Sequence, residues 1–220
     1  MDFISLLGIR PGLICLTGSG GKTSLAHALA ERLDGRVVFC TTTRIFPSSV
    51  LPVFTGDGVG ELDRLLEERG AVCVGTPAEN GKLTTPRIDF DVLRELADYV
   101  LVEADGSRGM PLKAHLAHEP VLPAGFDRNL LLVGAEGFGK TVLQTVHRAE
   151  RFAELAGCTV GDDASPENVA IVLAKEGRFD AVIVNQVDRL ERLERAKRIS
   201  DCLTAPVFAG EVRRGTLIPL

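Results

Sequence analysis

Short apolar runs alternate with segments of helical periodicity along most of this chain. Residues 13–16 form an apolar run that predicts a first strand, and residues 23–33 carry apolar side chains at helical spacing before an Asp34-Gly35 stop. Further strands are predicted at 36–40, 71–74, 99–103, 130–133, 181–184 and 207–208, and further helices at 60–69, 92–97, 148–155 and 189–203, with another that opens at Ser165-Pro166. This alternation is typical of βαβ units.

The predicted fold is α/β, a doubly wound and mainly parallel sheet with helices on both faces. At 220 residues the chain has room for one well-cored domain of this kind, and no repeat or linker divides it, so we predict a single domain over 1–220. Residues 76–86 predict a turn between short strands, and residues 105–127, rich in Gly, Pro and His, predict a long functional loop.

The composition of the chain argues against nucleic acid and membranes as binding partners. A formal charge of −5 gives no electrostatic footprint for nucleic acid or an anionic membrane, and no apolar run is long enough to span a bilayer. Residues 1–11 include Asp2 and lack the basic and apolar regions of a signal peptide. Five cysteines without a Cys-x-x-Cys pair suit reduced, buried thiols. We therefore expect a cytoplasmic protein that binds neither nucleic acid nor membrane.

Residues 17–23, Thr-Gly-Ser-Gly-Gly-Lys-Thr, lie between the first predicted strand and helix. Glycines allow backbone N–H groups to approach phosphate oxygens closely, and the following helix N-terminus adds partial positive charge. A Lys and a Thr then handle phosphate and Mg²⁺. The predicted nucleotide-binding residues of this P-loop are Gly18, Ser19, Gly20, Gly21, Lys22, Thr23 and Ser24, with Thr23 also a metal ligand. Because Leu16 stands where the common pattern has glycine, the loop is a shortened variant, similar to that of Mur-type ligases.

A second stretch, residues 134–141, fits the common spacing Gly-x-x-x-x-Gly-Lys-Thr better and follows the predicted strand 130–133. However, Phe138 puts a bulky ring where phosphate loops usually hold small residues. Only about half of a doubly wound sheet would follow this stretch, whereas such domains typically need about 100 residues or more. We therefore assign the nucleotide to the first loop and interpret the second as a strand, a turn and a helix start.

Residues 40–44, Cys-Thr-Thr-Thr-Arg, follow the second predicted strand, where loops that sense the terminal phosphate commonly lie. A hydroxyl of Thr42 or Thr43 is a candidate ligand of Mg²⁺, and Arg44 is a candidate for neutralising charge in the transition state. The alternative is the end of a β-branched strand followed by a solvated arginine.

Residues 99–106 have the form of a Walker B element, an apolar strand followed by acids. A carboxylate at that strand end can hold Mg²⁺ through water or orient the attacking nucleophile, so Glu103 and Asp105 are candidate catalytic residues and metal ligands. Two-residue alternation puts both on one side if the strand continues. The alternative for Asp105-Gly106 is a surface turn.

Residues 181–188 end in Asn-Gln-Val-Asp, which resembles the Asn-Lys-x-Asp element that reads guanine in GTPases. In that element the Asp accepts hydrogen bonds that adenine does not offer, which makes Asn185 and Asp188 candidate base contacts. Gln186 replaces the usual Lys, and Asp188 with Glu191 also fits a helix capping box. Both interpretations remain open. The expected cofactors are Mg²⁺ and either GTP or ATP, with GTP preferred.

Several polar residues of the long predicted loop, with two that follow it in sequence, form a candidate second-substrate site: Lys113, His115, His118, Glu119, His147 and Arg148. His118 and Glu119 are the candidate catalytic residues of this set. The spacing is not that of a compact metal site, and each residue taken singly also fits a solvated loop.

Seven blocks of the sequence, in this order, resemble the YqeC family, accessory proteins of selenium-dependent molybdenum hydroxylases. The blocks are 17–24, 41–43, 102–106, 111–114, 118–123, 146–148 and 185–188, of which Glu-Ala-Asp-Gly and His-Glu-Pro are the most specific. The resemblance implies a bacterial cytosolic protein that helps build or insert the selenium of these enzymes, with the nucleotide at Lys22 rather than Lys140. The chain departs from the family at Gln186 and at His115-Leu116, where the family tends to have Pro-Ala, which implies that His115 is not essential.

Three functions follow as hypotheses. The first is an NTP-dependent enzyme that acts on a selenium or molybdenum-cofactor intermediate. The second is a GTP-driven metallochaperone or switch that hands the cofactor to its client, the molybdenum hydroxylase. The third, a relative of the Mur ligases, is disfavoured because so short a chain has no C-terminal ligase domain.

Overall fold

The apolar runs of the sequence become the strands of a nine-stranded sheet. A computed structural model describes residues 3–220, so Met1 and Asp2 of the N-terminal segment considered above lie outside the described residues. The helices are α1 (Phe3–Leu6), α2 (Lys22–Arg32), α3 (Val59–Arg69), α4 (Phe90–Leu96), α5 (Val142–Thr145), α6 (Ala149–Ala156), α7 (Pro166–Glu176) and α8 (Leu190–Ser200). The strands are β1 (Gly12–Gly18), β2 (Val37–Thr41), β3 (Val53–Phe54), β4 (Ala71–Val74), β5 (Thr76–Pro77), β6 (Leu83–Thr84), β7 (Tyr99–Glu103), β8 (Leu112–Lys113), β9 (Arg128–Gly134), β10 (Val146–His147), β11 (Ala181–Asn185), β12 (Val207–Glu211) and β13 (Thr216–Pro219).

The sheet has the order β13-β12-β11-β9-β1-β7-β2-β4-β3 and is parallel except for its β12–β13 edge pair. Strand β1 lies centrally, with β7 paired on one side and β9 on the other. Because parallel strands end at one edge of a sheet, the loops after β1, β2, β7, β9 and β11 gather there, and ligands of doubly wound sheets bind at this edge. The predicted doubly wound α/β fold is confirmed.

Alternate residues of the central strands face opposite sides, and helices cover both. Ile14 and Leu16 of β1 pack with Leu25 and Leu29 of α2, whereas Leu13 and Cys15 face the other side. That second side is covered by α3 and α4 at one end of the sheet and by α6, α7 and α8 at the other. The two-sided cover explains why the strands are continuous apolar runs.

Several elements differ from the sequence predictions. The edge strand β13 returns antiparallel to β12 and was not predicted. Helix α8 starts at Leu190 with Arg189 at its N-cap, so the capping box proposed for Asp188 and Glu191 is wrong. Residues 105–127 are mainly loop, as predicted, but the short β8 within them pairs with β10. The Ser165 cap is confirmed, because its hydroxyl accepts a hydrogen bond from Asn168 N.

Cysteine burial and hydropathy bear on two further expectations. Cys15, Cys40 and Cys73 are buried free thiols, but Cys202 is exposed and Cys158 is half-buried, so the prediction of five buried thiols is wrong for these two. None of the helices within residues 3–220 combines the length and apolar character that crossing a bilayer requires.

Candidate functional site

The loop 17–23 turns directly from β1 into α2. Gly18, Gly20 and Gly21 adopt positive φ values of 81°, 83° and 132°, a region that side chains disfavour. A Cβ on Gly20 would lie 2.4 Å from Gly134 Cα, so this glycine is also needed for space. The ammonium of Lys22 donates to Gly18 O at 2.6 Å and closes the loop on itself. The sequence of glycines therefore makes a tight backbone ring at the start of a helix.

Asp105 fills the centre of this ring. Its Oδ1 lies 2.9 Å from Lys22 Nζ, and its Oδ2 accepts a hydrogen bond from Gly18 N at 2.8 Å. Burial alone would raise the pKa of Asp105, but Lys22, a hydrogen bond from His115 and the charge of Lys113 outweigh it and hold the pKa well below its usual range. Asp105 is therefore an anion bound where P-loops bind phosphate.

Glu103 meets the first turn of α2. Its Oε1 accepts a hydrogen bond from Thr23 Oγ1 at 2.5 Å. Burial raises the pKa of Glu103, and the charge of Lys22 and the Thr23 hydroxyl oppose that rise only in part. Since β7 pairs with β1, the predicted Walker B acids reach the loop that carries Lys22 and Thr23. The core of the site is formed by the side chains of Lys22, Thr23, Glu103 and Asp105.

A second layer of charge supports Asp105 from the long loop. Lys113 Nζ lies 3.3 Å from Asp105 Oδ2 and donates to Gly106 O at 2.7 Å. His115 Nε2 lies 2.6 Å from the same Asp105 oxygen, while its Nδ1 lies 2.6 Å from Glu176 Oε2. Burial would lower the pKa of His115, but the hydrogen bonds to Asp105 and Glu176 outweigh it and raise the pKa. His115 thus links the P-loop to the end of α7.

Glu119 extends this layer toward solvent. Arg148 donates to both of its carboxylate oxygens, at 2.8 and 3.1 Å, and Lys113 lies 3.4 Å away. Burial raises the pKa of Glu119, but Arg148 and Lys113 together lower it below its ordinary value. The structure therefore brings together Lys113, His115, Glu119 and Arg148 of the candidate second-substrate set, and places His118 apart from them as an exposed residue.

An open cleft of about 1310 Å³ lies above the loop. Its lining includes the first turn of α2 and the segments that follow β2 and β7. The residues that line it include Gly20, Gly21, Lys22, Thr23, Ser24, His27, Thr43, Arg44, Phe46, Lys82, Glu103, Asp105, Arg108, Glu119, Glu136, His147, Arg148, Gln186 and Arg213. The cleft therefore joins the P-loop and the second-substrate candidates in one space.

The residues after β2 divide between the cleft and its surroundings. Thr43 and Arg44 line the cleft, and Arg44 makes a long ion pair of 3.8 Å with exposed Glu79. Thr42 lies outside the lining, because its hydroxyl donates to Val121 O at 2.6 Å. Of the two predicted threonine ligands, Thr43 lines the cleft together with Thr23 and Glu103, and Thr42 does not.

The guanine-reading candidate lies on the opposite side of β1. Asn185 Nδ2 donates to Gly20 O at 2.8 Å, and its Oδ1 accepts from Val212 N at 3.0 Å. Gln186 has a φ of 65° and lines the cleft. The exposed Asp188 pairs with Arg192 at 3.1 Å and lies outside the lining. Asn185 thus braces the P-loop, whereas Asp188 makes no contact with it.

The rival stretch 134–141 does not form a phosphate loop. A 3₁₀ turn over residues 135–137 and the four-residue α5 follow β9, in place of a long helix. Lys140 is exposed and Phe138 is buried. Thr141 caps α5 through a capping box with Gln144. The sequence interpretation of this stretch as strand, turn and helix start is confirmed.

Sequence reasoning missed several residues of the site. Glu176 lies 61 positions from its partner His115, and no local pattern links the two. Phe46, Lys82 and Arg108 line the cleft from three separate segments. Within residues 3–220, no group of three or more His, Cys, Asp and Glu side chains has the geometry of a metal site.

Two comparisons by sequence agree with the motifs. The family model described as YqeC protein matches residues 14–150. A relative named "Uncharacterized protein YqeC" from Escherichia coli K12 is 39% identical over 186 residues, which cover 79% of this chain and 72% of the relative. Among solved structures, the signal recognition particle 54 kDa protein of Aeropyrum pernix K1 in complex with GDP is similar at 17% identity and a TM-score of 0.46. That alignment covers 99% of this chain, which spans about half (48%) of the length of the matched chain. The family match covers more than half of the sequence, and the chain belongs to the YqeC family.

Proposed function

We propose that this protein binds a magnesium complex of GTP, or less favourably ATP, at residues 17–23 and transfers or hydrolyses its terminal phosphoryl group. The observation that carries the proposal is the convergence of Lys22, Thr23, Glu103 and Asp105 on one glycine-rich loop. Phosphoryl transfer depends chiefly on positioning and on stabilising charge, and these residue types supply both.

In this proposal the backbone binds phosphate oxygens, and side chains compensate charge and orient the nucleophile. The N–H groups of the loop and the N-terminus of α2 bind phosphate oxygens, with Gly18, Ser19, Gly20, Gly21 and Ser24 framing them. Lys22 exchanges its partner Asp105 for the β- and γ-phosphates. Glu103 or Asp105 then orients the attacking nucleophile, and Arg44 balances charge as the terminal phosphoryl group departs.

The residues at the loop fit a magnesium ion. Mg²⁺ prefers oxygen ligands and usually binds through one or two protein groups together with substrate phosphates. The hydroxyl of Thr23 and the carboxylate of Glu103 are hydrogen-bonded neighbours in the lining of the cleft, and Thr43 lines it too. Thr23, Glu103 and Thr43 would hold the ion, which neutralises phosphate charge when bound. Asp105 suits a direct ligand less well, because four donors already surround it.

The biological role rests on family membership and on the resemblance described above. We propose that the reaction serves maturation of selenium-dependent molybdenum hydroxylases in the cytoplasm and acts on a selenium or molybdenum-cofactor intermediate. Glu119, held by Arg148 and Lys113, lines the cleft that this second substrate would enter. His118 lies outside the cleft lining and is less well placed to contact the second substrate.

A GTP-driven metallochaperone or switch is the second candidate. It is favoured by Asn185, which joins the P-loop carbonyl of Gly20 to the backbone of Val212 after β12. The P-loop is thereby connected to the segment that follows β12, and this connection gives nucleotide occupancy a structural path to a client bound at that segment. In this version Asn185 holds the P-loop, Asp188 reads guanine after exchanging its partner Arg192 for the base, and no small molecule is modified.

Titration of the protein with GTP and ATP, each with magnesium, tests the shared part of both proposals. We expect saturable binding of both, tighter for GTP. Turnover assays then separate the candidates: acceleration by selenide or molybdenum cofactor supports the enzyme, and acceleration by the client hydroxylase alone supports the switch. Failure to bind either nucleotide would refute both.

A further inference from the structure

The cleft is larger than one ligand requires. Pockets for drug-sized ligands usually occupy roughly 300–1,000 Å³, and this cleft measures about 1310 Å³. Its lining extends well beyond the P-loop, to Phe46 after β2, Lys82 before β6 and Arg108 after β7. A nucleotide on residues 17–23 therefore leaves part of the cleft open.

The sheet order indicates which part stays open. Asn185 touches the P-loop from β11, on the β9 side of β1, and β7 and β2 lie on the other side. A nucleotide with its base toward Asn185 directs its terminal phosphate toward β7 and β2. The segments that follow those two strands line the cleft on that side, and Lys82 lies there too, because Ile45 bridges to Leu83 and Lys82 sits beside the Phe46 ring. We call Phe46, Lys82 and Arg108 the outer subsite.

Charge distinguishes this cleft from the rest of the molecule. Six Lys and Arg side chains line it against four Asp and Glu, although the whole chain carries −5. Within the described residues, the side chains of Lys82 and Arg108 form no ion pair and no hydrogen bond, whereas Asp105 and Glu119 are already paired with other cations. The pKa of His147 is consistent with this positive charge. Burial lowers the pKa most, and the charges of Lys113, Arg148 and Arg108 lower it further. The outer subsite thus holds uncompensated positive charge.

Shape and strain point to the same place. Phe46 is 66% exposed, and Lys82 Nζ lies 4.9 Å from its ring centroid. An exposed ring beside a cation offers a flat apolar surface next to an anion-binding group. Arg108 has a φ of 52°, a conformation that is costly for residues other than glycine and is enriched at ligand-binding sites. These features suit a ligand with a flat ring and a phosphate.

We propose that the outer subsite binds the second substrate, a small compound that joins a planar ring to a phosphate group, with Arg108 and Lys82 on the phosphate and Phe46 on the ring. This inference rests on the proposed function, because it assigns the space beyond the nucleotide's terminal phosphate. It goes further in naming the class of compound and the residues that select it.

The test uses phenyl phosphate, which is small enough to enter any part of the cleft. The protein is first saturated with magnesium and a non-hydrolysable GTP analogue, and phenyl phosphate and inorganic phosphate are then titrated by NMR. We expect phenyl phosphate to bind at millimolar concentrations without displacing the nucleotide, and more tightly than inorganic phosphate. Arg108→Ala should weaken phenyl phosphate by about tenfold, the loss of one charge-assisted contact at an exposed site. Phe46→Ala should remove the difference between the two probes.

Arg64→Ala is the matched control, because Arg64 is an exposed arginine of α3 outside the cleft. It should change neither titration. Absence of phenyl phosphate binding, displacement of the nucleotide, or equal losses in Arg108→Ala and Arg64→Ala would each overturn the subsite. If the nucleotide analogue itself fails to bind, the proposed function fails first, so the two failures are distinguishable.

Discussion

The ammonium of Lys22 and the carboxylate of Asp105 form a buried ion pair of 2.9 Å at the centre of the P-loop. Asp105 also accepts the Gly18 N–H group, so it takes two of the donors that a phosphate would use. Nucleotide binding therefore has to exchange one anion for another. Lys113 and His115 hold Asp105 from the other side and keep it paired after Lys22 leaves.

Replacing Lys22 separates the two candidate loops. Lys22→Ala removes the buried cation of the first loop, whereas Lys140→Ala removes an exposed lysine of the second. We expect the first change to weaken GTP binding by about a hundredfold, the loss of charge-assisted contacts with phosphate, and the second to have little effect. Calorimetric titration measures this, after thermal melts confirm folding. Similar losses in both variants would contradict the assignment.

Removing the charge of Asp105 should have opposite effects on stability and on binding. Asp105→Asn leaves the buried Lys22 and Lys113 without their shared carboxylate, which should cost about 3–5 kcal/mol in the free energy of unfolding. The remaining folded protein should bind GTP more tightly, because the competing anion is gone, and should hydrolyse it more slowly. Denaturant unfolding and nucleotide titration measure the two effects.

Asp57→Asn is the control for Asp105, since Asp57 is exposed. It should leave both quantities unchanged. If Asp105→Asn instead weakens nucleotide binding as strongly as Lys22→Ala does, then Asp105 assists the phosphate rather than competing with it.

The hydroxyl of Thr23 should make nucleotide binding magnesium-dependent. Thr23→Val keeps the shape of the side chain and removes the oxygen that bonds Glu103. We expect the difference in GTP affinity between magnesium and EDTA to shrink by about tenfold, the effect of one lost polar contact to a charged group. Thr23→Ser should retain the difference. A Val variant with unchanged magnesium dependence would place the ion elsewhere.

His115 should stabilise the fold more at acid than at alkaline pH. Its pKa is raised in the folded protein, so protonation favours folding: the contribution is fully present below the unfolded pKa of about 6.5 and is lost as pH rises through the folded pKa. His115→Gln should therefore lose more unfolding free energy at pH 6 than at pH 9. An equal loss at both pH values would contradict a charged His115.

The P-loop and its strand partners were predictable from sequence because each rests on local rules. Each of these signals occupies a short stretch of sequence. The P-loop glycines tolerate positive φ, apolar runs mark the strands, and an acid follows the apolar run of β7. The same rules located β1, α2, β4 and β7 to within one or two residues.

The charge network was less accessible, because its partners come from distant segments. The resemblance to the family implies that His115 is not essential, yet it lies between Asp105 and Glu176 in a buried network. Its distance from Glu176 in sequence leaves no local signal. Likewise, the sequence contains nothing that would bring Phe46, Lys82 and Arg108 to one cleft. Long-range contacts of this kind follow from the sheet order rather than from any motif.

Gly134 opens the rival motif and packs against Gly20 of the P-loop, so closely that a Cβ on either residue would meet the neighbouring loop's backbone or the nearby Pro111 and Gln186. Pro111 and Gln186, which pack on this strand end, thus favour glycine at position 134, and the backbone of Gly134 in turn favours glycine at position 20. Selection for close packing can in this way produce the same glycine pattern as selection for phosphate binding. A pattern search that scores spacing alone would therefore choose residues 134–141 over residues 17–23.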